Sequence, residues 1–307
     1  IELYACEEVT AGTTPPSPTW WTIPRITDSL TENVTTETSE LVADTRFRQG
    51  AVATEAEITG DLATELSVGT FDMFIGAVAM NEWVVDAVDD TKSTLVFGGD
   101  VRKTYTFVIV HGGTGQVFIY RGIRINSMSF SIATTGKINI NFGLVGTSAE
   151  RTTTSPVATP QDIMTTPLVS ALNVNTFTVD GQTTVGSACV QTVDLEVTNN
   201  YEAIRCLGSG KLTAETYLEK IVDINLNTQF TFSPQSAPYI DKIKTRTPMT
   251  VNFKIEDALG NYYDFSFPQL EVTEAPHPDG GAEDITYLDV SFAHVRVSPV
   301  ITRVLVE

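Results

Sequence analysis

The segment Gly208-Ser209-Gly210-Lys211 is the stretch closest to nucleotide chemistry. A phosphate-binding loop needs a glycine five residues before its last glycine and Ser or Thr after the lysine. Backbone N–H groups then cradle the phosphates and a hydroxyl reaches the metal. Arg205 and Leu212 occupy those two positions, so the segment reads as a hairpin or strand-end turn. His111-Gly112-Gly113 has the composition of part of an esterase oxyanion loop. No G-x-S-x-G elbow accompanies it and it falls between two alternating strands, so it too reads as a turn. His111, His277 and His294 lack metal-ligand spacing. Asp279, Glu283 and Asp284 offer oxygen ligands in a glycine-containing loop, but their spacing is not that of an EF-hand, and a solvated loop is the simpler reading. Any two of the 38 acids can in principle form a catalytic pair, and nothing singles one out. No enzyme activity, cofactor or metal is therefore expected.

One acidic pattern survives. In a strand-like run Glu57, Asp61 and Glu65 share one face and Ile58, Leu62 and Leu66 the other, by the period of two. Glu215, Glu219 and Asp223 hold the same phase before Asn225, Asn227 and Gln229. These six acids line either an ordinary solvent face of an antiparallel sheet or a shared interior wall.

The elements that position them are mostly strands. Threonine and valine are plentiful and favour extended structure. Two long strands over 33–66 flank a hairpin tip at Arg46, Phe47, Arg48, Gln49 and Gly50. Phe71, Phe74, Ile75 and Val78 form a helical stripe that reads as core. Strands are predicted at Thr104–Val110 and Val117–Ile132. In the second the phase changes between Ile125 and Met128, which implies a bulge near Asn126-Ser127. Ile138, Ile140, Phe142 and Leu144 alternate cleanly, and Asp180-Gly181 marks a hairpin. The pattern over 35–146 recurs over 189–297, with a second short helix after Pro238 and strands around Gly260-Asn261. The expected organisation is an arm over 1–30, a first β domain over 31–150, a Thr/Ser/Pro-rich linker over 151–170 and a second β domain with a C-terminal tail over 171–307. In the arm Pro15, Pro16, Pro18 and Pro24 forbid a continuous ladder, and Trp20 and Trp21 pack either on their own domain or on another subunit.

The formal charge is −19; acids divide 19 and 19 between residues 1–150 and 151–307, against 9 and 10 bases, so each half is acidic by itself, at −10 and −9. Nucleic-acid binding needs Lys and Arg to replace counterions, so ordinary binding is not expected, whereas a surface that nucleic acid must not stick to is compatible. Cys6, Cys189 and Cys206 are odd in number and widely spaced, unlike a disulfide framework, and reduced thiols in a cytosol are expected. Neither a membrane span nor a secretion signal is evident in the sequence. A duplicated β unit without chemistry points to architecture.

At this point the sequence resembles the tail tube proteins of long-tailed, non-contractile bacteriophages. The likeness runs through Tyr4, Glu7-Glu8, Gly12, Pro15 to Pro18, Trp20, Ile23-Pro24 and Ser29-Leu30, then Ser39 to Arg46, Gly60 to Leu66 and the helix running into Trp83. It resumes at Tyr120 to Phe130 and Leu195 to Asn200, so it covers nearly the whole chain. The resemblance implies an all-β fold with short helices, here two tandem tube-type β-sandwich or barrel domains from an internal duplication. It implies rings of three chains as a pseudo-hexamer, alternatively six chains, stacked into a hollow virion tail that conducts DNA into the host. The subunit would be made in the host bacterial cytoplasm. Its partners would be other copies of itself, a tape-measure protein and tail-end proteins. DNA would pass through without specific binding, and no membrane is involved. On this reading Glu57, Asp61, Glu65, Glu215, Glu219 and Asp223 face the lumen. Arg46, Phe47, Arg48, Gln49 and Gly50, with Trp20 and Trp21, touch the adjacent ring. The rivals are an acidic β-sandwich decoration or adhesion module and a β-sandwich glycan hydrolase with two dispersed carboxylates.

Overall fold

The alternating runs form strands almost throughout, and the computed structural model describes residues 1–42, 44–45, 47–163, 165–279 and 285–306. The first half contains β1 (Glu2–Glu7), β2 (Thr31–Thr38), β3 (Ala51–Glu65), α1 (Asp72–Ala79), β4 (Tyr105–His111), β5 (Gln116–Ala133), β6 (Asn139–Gly146) and β7 (Ser148–Thr152). The second contains β8 (Val174–Val179), β9 (Val190–Thr198), β10 (Asp223–Thr231), α2 (Tyr239–Thr245), β11 (Met249–Glu256), β12 (Tyr262–Glu274), β13 (Tyr287–His294) and β14 (Val300–Val304).

The pairing order recurs. In the first half an outer layer runs β1–β4–β5–β7 and an inner layer β2–β3–β6–β5. In the second the outer layer runs β8–β11–β12–β14 and the inner β9–β10–β13–β12. The protein is thus all-β with short helices, built as β-sandwiches. In each half one long strand, β5 or β12, leaves the outer layer and enters the inner one. A strand can change layers only where its ladder is broken. In β5 the register with β4 shifts between Tyr105 and Phe107, opposite Arg121-Gly122. The register with β6 then skips Asn126, the bulge expected from the phase change. Gly122 has φ +63°, and a Cβ there would sit 2.1 Å from Thr147 Oγ1, so only glycine fits. In β12 the shift falls at Pro268-Gln269, where a residue without an N–H is tolerated because the ladder is already interrupted.

Between the layers, Phe74 of α1 packs against Phe107 of β4 (5.7 Å) and Phe142 of β6 (5.5 Å). Phe253 of β11 lies 5.8 Å from Phe177 of β8, which faces Phe230 of β10. The apolar core is continuous across the two halves: Phe130 of β5 lies 5.5 Å from Phe265 of β12. Among the described residues, two ladders join the halves. β5 pairs with β9 from Ser127↔Thr198 to Ala133↔Thr192. The strand Lys92–Val96, in the segment between α1 and β4, pairs with β14. That segment has no counterpart in the second half, where α2 ends at Thr245 and β11 starts at Met249.

A buried polar cluster lies where these joints meet. Arg303 of β14 pairs with Asp72 of α1, donates to Ser93 Oγ (2.8 Å) and stacks over Trp83 (5.0 Å). Tyr263 donates its hydroxyl to Asp72 at 2.5 Å and accepts from the Gly69 N–H at 2.7 Å. Burial pushes the Asp72 carboxyl up, with Arg303 opposing.

The N-terminal segment departs from the expected arm. Glu2–Glu7 is a full strand of the outer layer, because the prolines begin only at Pro15 and leave it free to pair with β4. Trp20 is 2% exposed, packed with Cys6, Val108, Val117 and Ile119. Trp21 is half-buried and pairs with Ala5. Part of the linker is also bound down: Gln161–Asp162 pairs in parallel with Trp21–Thr22.

Candidate functional site

The β5–β9 ladder fuses the two inner layers into one sheet, β2–β3–β6–β5–β9–β10–β13–β12. The register aligns its residues in transverse rows. One row is Asp61, Gly143, Ser127, Thr198 and Asp223. A second is Ala63, Asn141, Ser129, Glu196, Asn225, Ala293 and Glu271. A third is Glu65, Asn139, Ser131, Asp194, Asn227, Ser291 and Glu274. The intervening rows, such as Leu62, Phe142, Met128, Val197 and Ile224, are buried. One face is therefore core, and the other is a wall of acids, amides and serines. A hollow of about 460 Å³ lies on it, bounded by Ser129, Ser131, Asn141, Asp194, Glu196 and Asn227.

The structure brings Glu57, Asp61, Glu65 and Asp223 onto this sheet and separates Glu215 and Glu219 from it. Those two flank one strand of a two-stranded ribbon, Glu202–Ile204 with Thr216–Leu218: Glu215 immediately precedes Thr216 and Glu219 immediately follows Leu218. The expected strand phase does not run through to Asp223. The Lys220 N–H turns back to the Asn199 carbonyl, and the Asn200 side chain ties Ile221 O to Asp223. Asn200 holds a φ of +52°, a turn conformation that asparagine tolerates. The hydrogen bond from Lys211 (2.7 Å) holds the Glu215 carboxyl below its usual range, and Arg102 does the same for Glu219. Asp194 and Glu196 on β9 escaped the sequence reading. Their signal was present: they alternate with Val193, Leu195 and Val197. Lys137 pairs with Glu65, and Arg205 reaches Glu57 at 3.5 Å. Among the described residues, no basic side chain forms an ion pair with Asp61, Asp194, Glu196 or Asp223.

The loop between β2 and β3 projects from one rim. Its base is closed by Ser39 N–H to Gly50 O (2.8 Å) and by Arg48 to Thr38 Oγ1 (2.6 Å). Gln49 reaches Thr45 and Phe47 O. Leu41, Val42 and Phe47 are 77%, 101% and 83% exposed. Arg46, expected at this tip, lies outside the described residues. The corresponding loop of the second half, 199–222, instead folds onto β3. Ala56 N–H bonds Leu212 O at 3.0 Å, and Arg205 pairs with Glu55. Gly208 and Gly210, at φ +86° and +71°, make a turn there. His111-Gly112-Gly113 is the β4–β5 turn, with Gly115 N–H on His111 O. Asp279 has no metal-type cluster around it among the described residues, and Glu283 and Asp284 lie outside them.

Both lateral ends of the inner sheet carry an unpaired side. All of β2 is exposed and, among the described residues, its ladder is to β3 alone. Among the described residues the end of β12, Val272 to Glu274, pairs only with β13, whereas the equivalent stretch of β5 is paired on both sides. Open edges invite strand addition. The fold thus combines a polar sheet face, an exposed apolar loop and, among the described residues, two open strand edges. Residues 1–293 match the family model described as phage tail tube protein, and the chain belongs to that family. It is a structural component of the bacteriophage virion tail, suited to self-assembly into a tube with other tail components. No match is found among curated proteins. Among the described residues no helix is long and apolar enough to cross a membrane.

Proposed function

We propose that the chain polymerises into stacked rings forming the tail tube of a long-tailed, non-contractile phage, with DNA passing through the lumen during ejection. The observation that carries this reading is the β5–β9 ladder, which serves as a template for the contact between chains. By the equivalence of β9 with β2 and of β5 with β12, the open side of β12 accepts β2 of the next copy, and repetition closes a barrel. The two tandem units, 31–150 and 171–307, then make three chains a pseudo-hexameric ring, with six chains as the alternative stoichiometry. A three-chain ring carries 3 × −19 = −57 charges.

The polar rows line the lumen, with Glu57, Asp61, Glu65 and Asp223 joined by Asp194 and Glu196. An acidic wall repels a phosphate backbone and favours passage over binding. The loop carrying Phe47, Arg48, Gln49 and Gly50 reaches the adjacent ring. A head-to-tail contact of this kind does not close on itself and so yields a filament. Trp20 takes no part, being core of the first half. A tape-measure protein and tail-end proteins are the further partners, and synthesis takes place in the host cytoplasm. The protein acts without catalysis.

Electron microscopy of the purified protein across a concentration series tests this. Hollow filaments with three chains per ring and β2 of one copy on β12 of the next are expected. Closed particles at every concentration would overturn it.

A further inference from the structure

A mostly apolar, uncharged cavity of about 270 Å³ opens between the two halves, walled by Ile132, Val174, Phe177, Val185, Val190 and Val193, with Thr134, Asn175, Thr184 and Gln191 also in its lining. It lies at the rim opposite the β2–β3 loop. β3 leaves that loop at Ala51 and ends at Glu65, which faces Asn139 at the start of β6. Ala133 at the end of β5 faces Thr192 near the start of β9, at that same far rim. The fifteen residues of β3 put about 45 Å of strand between the two features.

We propose that Phe47 of one copy seats in this cavity on a copy in the next ring; the inference rests on the tube reading above and names the acceptor of its ring-to-ring contact. Three observations on the two surfaces converge. Phe47, Leu41 and Val42 form an exposed apolar tip, while Val185 and Leu172 stand 74% and 90% exposed at the other rim. A cavity of about 150 Å³ suffices for a benzene ring, so this one accommodates a phenyl group with room for a neighbouring side chain. The chain carries −19 charges, yet none of the described residues lining the cavity is charged, so the cavity itself adds no like charge to the contact between two acidic copies. One chain therefore carries both halves of a heterologous contact, at opposite ends, which is the arrangement that propagates.

The test uses the full chain. Phe47→Ser removes the seat without touching the core, so melting is unchanged, while the concentration needed for tubes rises about ten- to hundredfold. Cys189 also lines the cavity and supplies a reporter. In a Cys206→Ser background, Phe47→Cys tubes treated with an added two-electron oxidant are expected to form an interchain disulfide. It would appear as a ladder on non-reducing gels and vanish with Cys189→Ser. Normal tubes from Phe47→Ser overturn the seat and leave the tube reading intact. A raised threshold without the Cys189-dependent ladder places Phe47 elsewhere and overturns it as well. Absence of tubes from the unaltered chain under all conditions overturns the tube reading and the seat together.

Discussion

Arg303→Leu examines the joint between the two halves. The Arg303 and Asp72 side chains are only 17% and 13% exposed, and Asp72 also accepts from Tyr263. Removing the guanidinium leaves a buried carboxylate without its cation, a change that costs about 3 kcal/mol. At about 2–3 °C per kcal/mol for a protein of this size, melting falls by about 6–9 °C. The double variant Asp72→Asn/Arg303→Leu removes the orphaned charge and keeps an acceptor for Tyr263. It should recover about 2 kcal/mol of the loss. The pH dependence follows from the same carboxyl. Burial raises the Asp72 pKa and Arg303 opposes the rise, so the single variant raises it further. A carboxyl whose folded pKa lies above its unfolded value favours the folded state most below the unfolded pKa. That advantage is lost as pH rises through the folded pKa. The deficit of Arg303→Leu should therefore shrink as pH is lowered from 7 toward the carboxylate range, and the double variant should lack this recovery. Differential scanning calorimetry across that range, at concentrations below polymerisation, reads both effects. A loss under about 1 kcal/mol, or a double variant no more stable than the single, would refute the argument.

Three further outcomes follow from other parts of the molecule. Gly122→Ala combines a φ of +63° with a Cβ 2.1 Å from Thr147 Oγ1, and should cost about 2 kcal/mol or more in denaturant titrations. Thr147→Ala should restore only the steric part. Burial pushes the Cys6 thiol up to about 11, so at pH 8 about one molecule in a thousand carries the thiolate. Alkylation of the native protein should label exposed Cys206 and spare Cys6, as peptide mass spectrometry would record. Asp61→Lys/Glu196→Lys/Asp223→Lys should leave tubes that retain duplex DNA at low salt and release it at high salt, while unaltered tubes retain none. Equal retention by both would count against a lumen wall at these positions.

Much of the local structure was legible in the sequence. Ile138, Ile140, Phe142 and Leu144 alternate because a pleated strand sends neighbours to opposite faces; the last three form the buried face of β6, and Ile138 is buried just before it. The stripe Phe74, Ile75 and Val78 gave α1, and the changed phase in β5 gave the bulge at Asn126. Asp180 and Gly181 both adopt positive φ in the predicted hairpin. Such signals are legible because each depends on a few adjacent residues. Tertiary structure alone decided which edges meet. Nothing in the residues of β5 and β9 specifies that they pair across about sixty positions, or that Lys92–Val96 zips onto β14. Both strands of each pair alternate equally well with other partners, and the choice falls to long-range packing, in which Phe130 meets Phe265. Glu215 and Glu219 were misplaced for the same reason: period-two phase carries no record of where a strand stops. Here the stop is made by Asn200 and the Asn199 carbonyl, some twenty residues away along the chain. The acids Asp61, Glu196 and Asp223 were each visible as polar positions, but their gathering on one face is a property of the shared register.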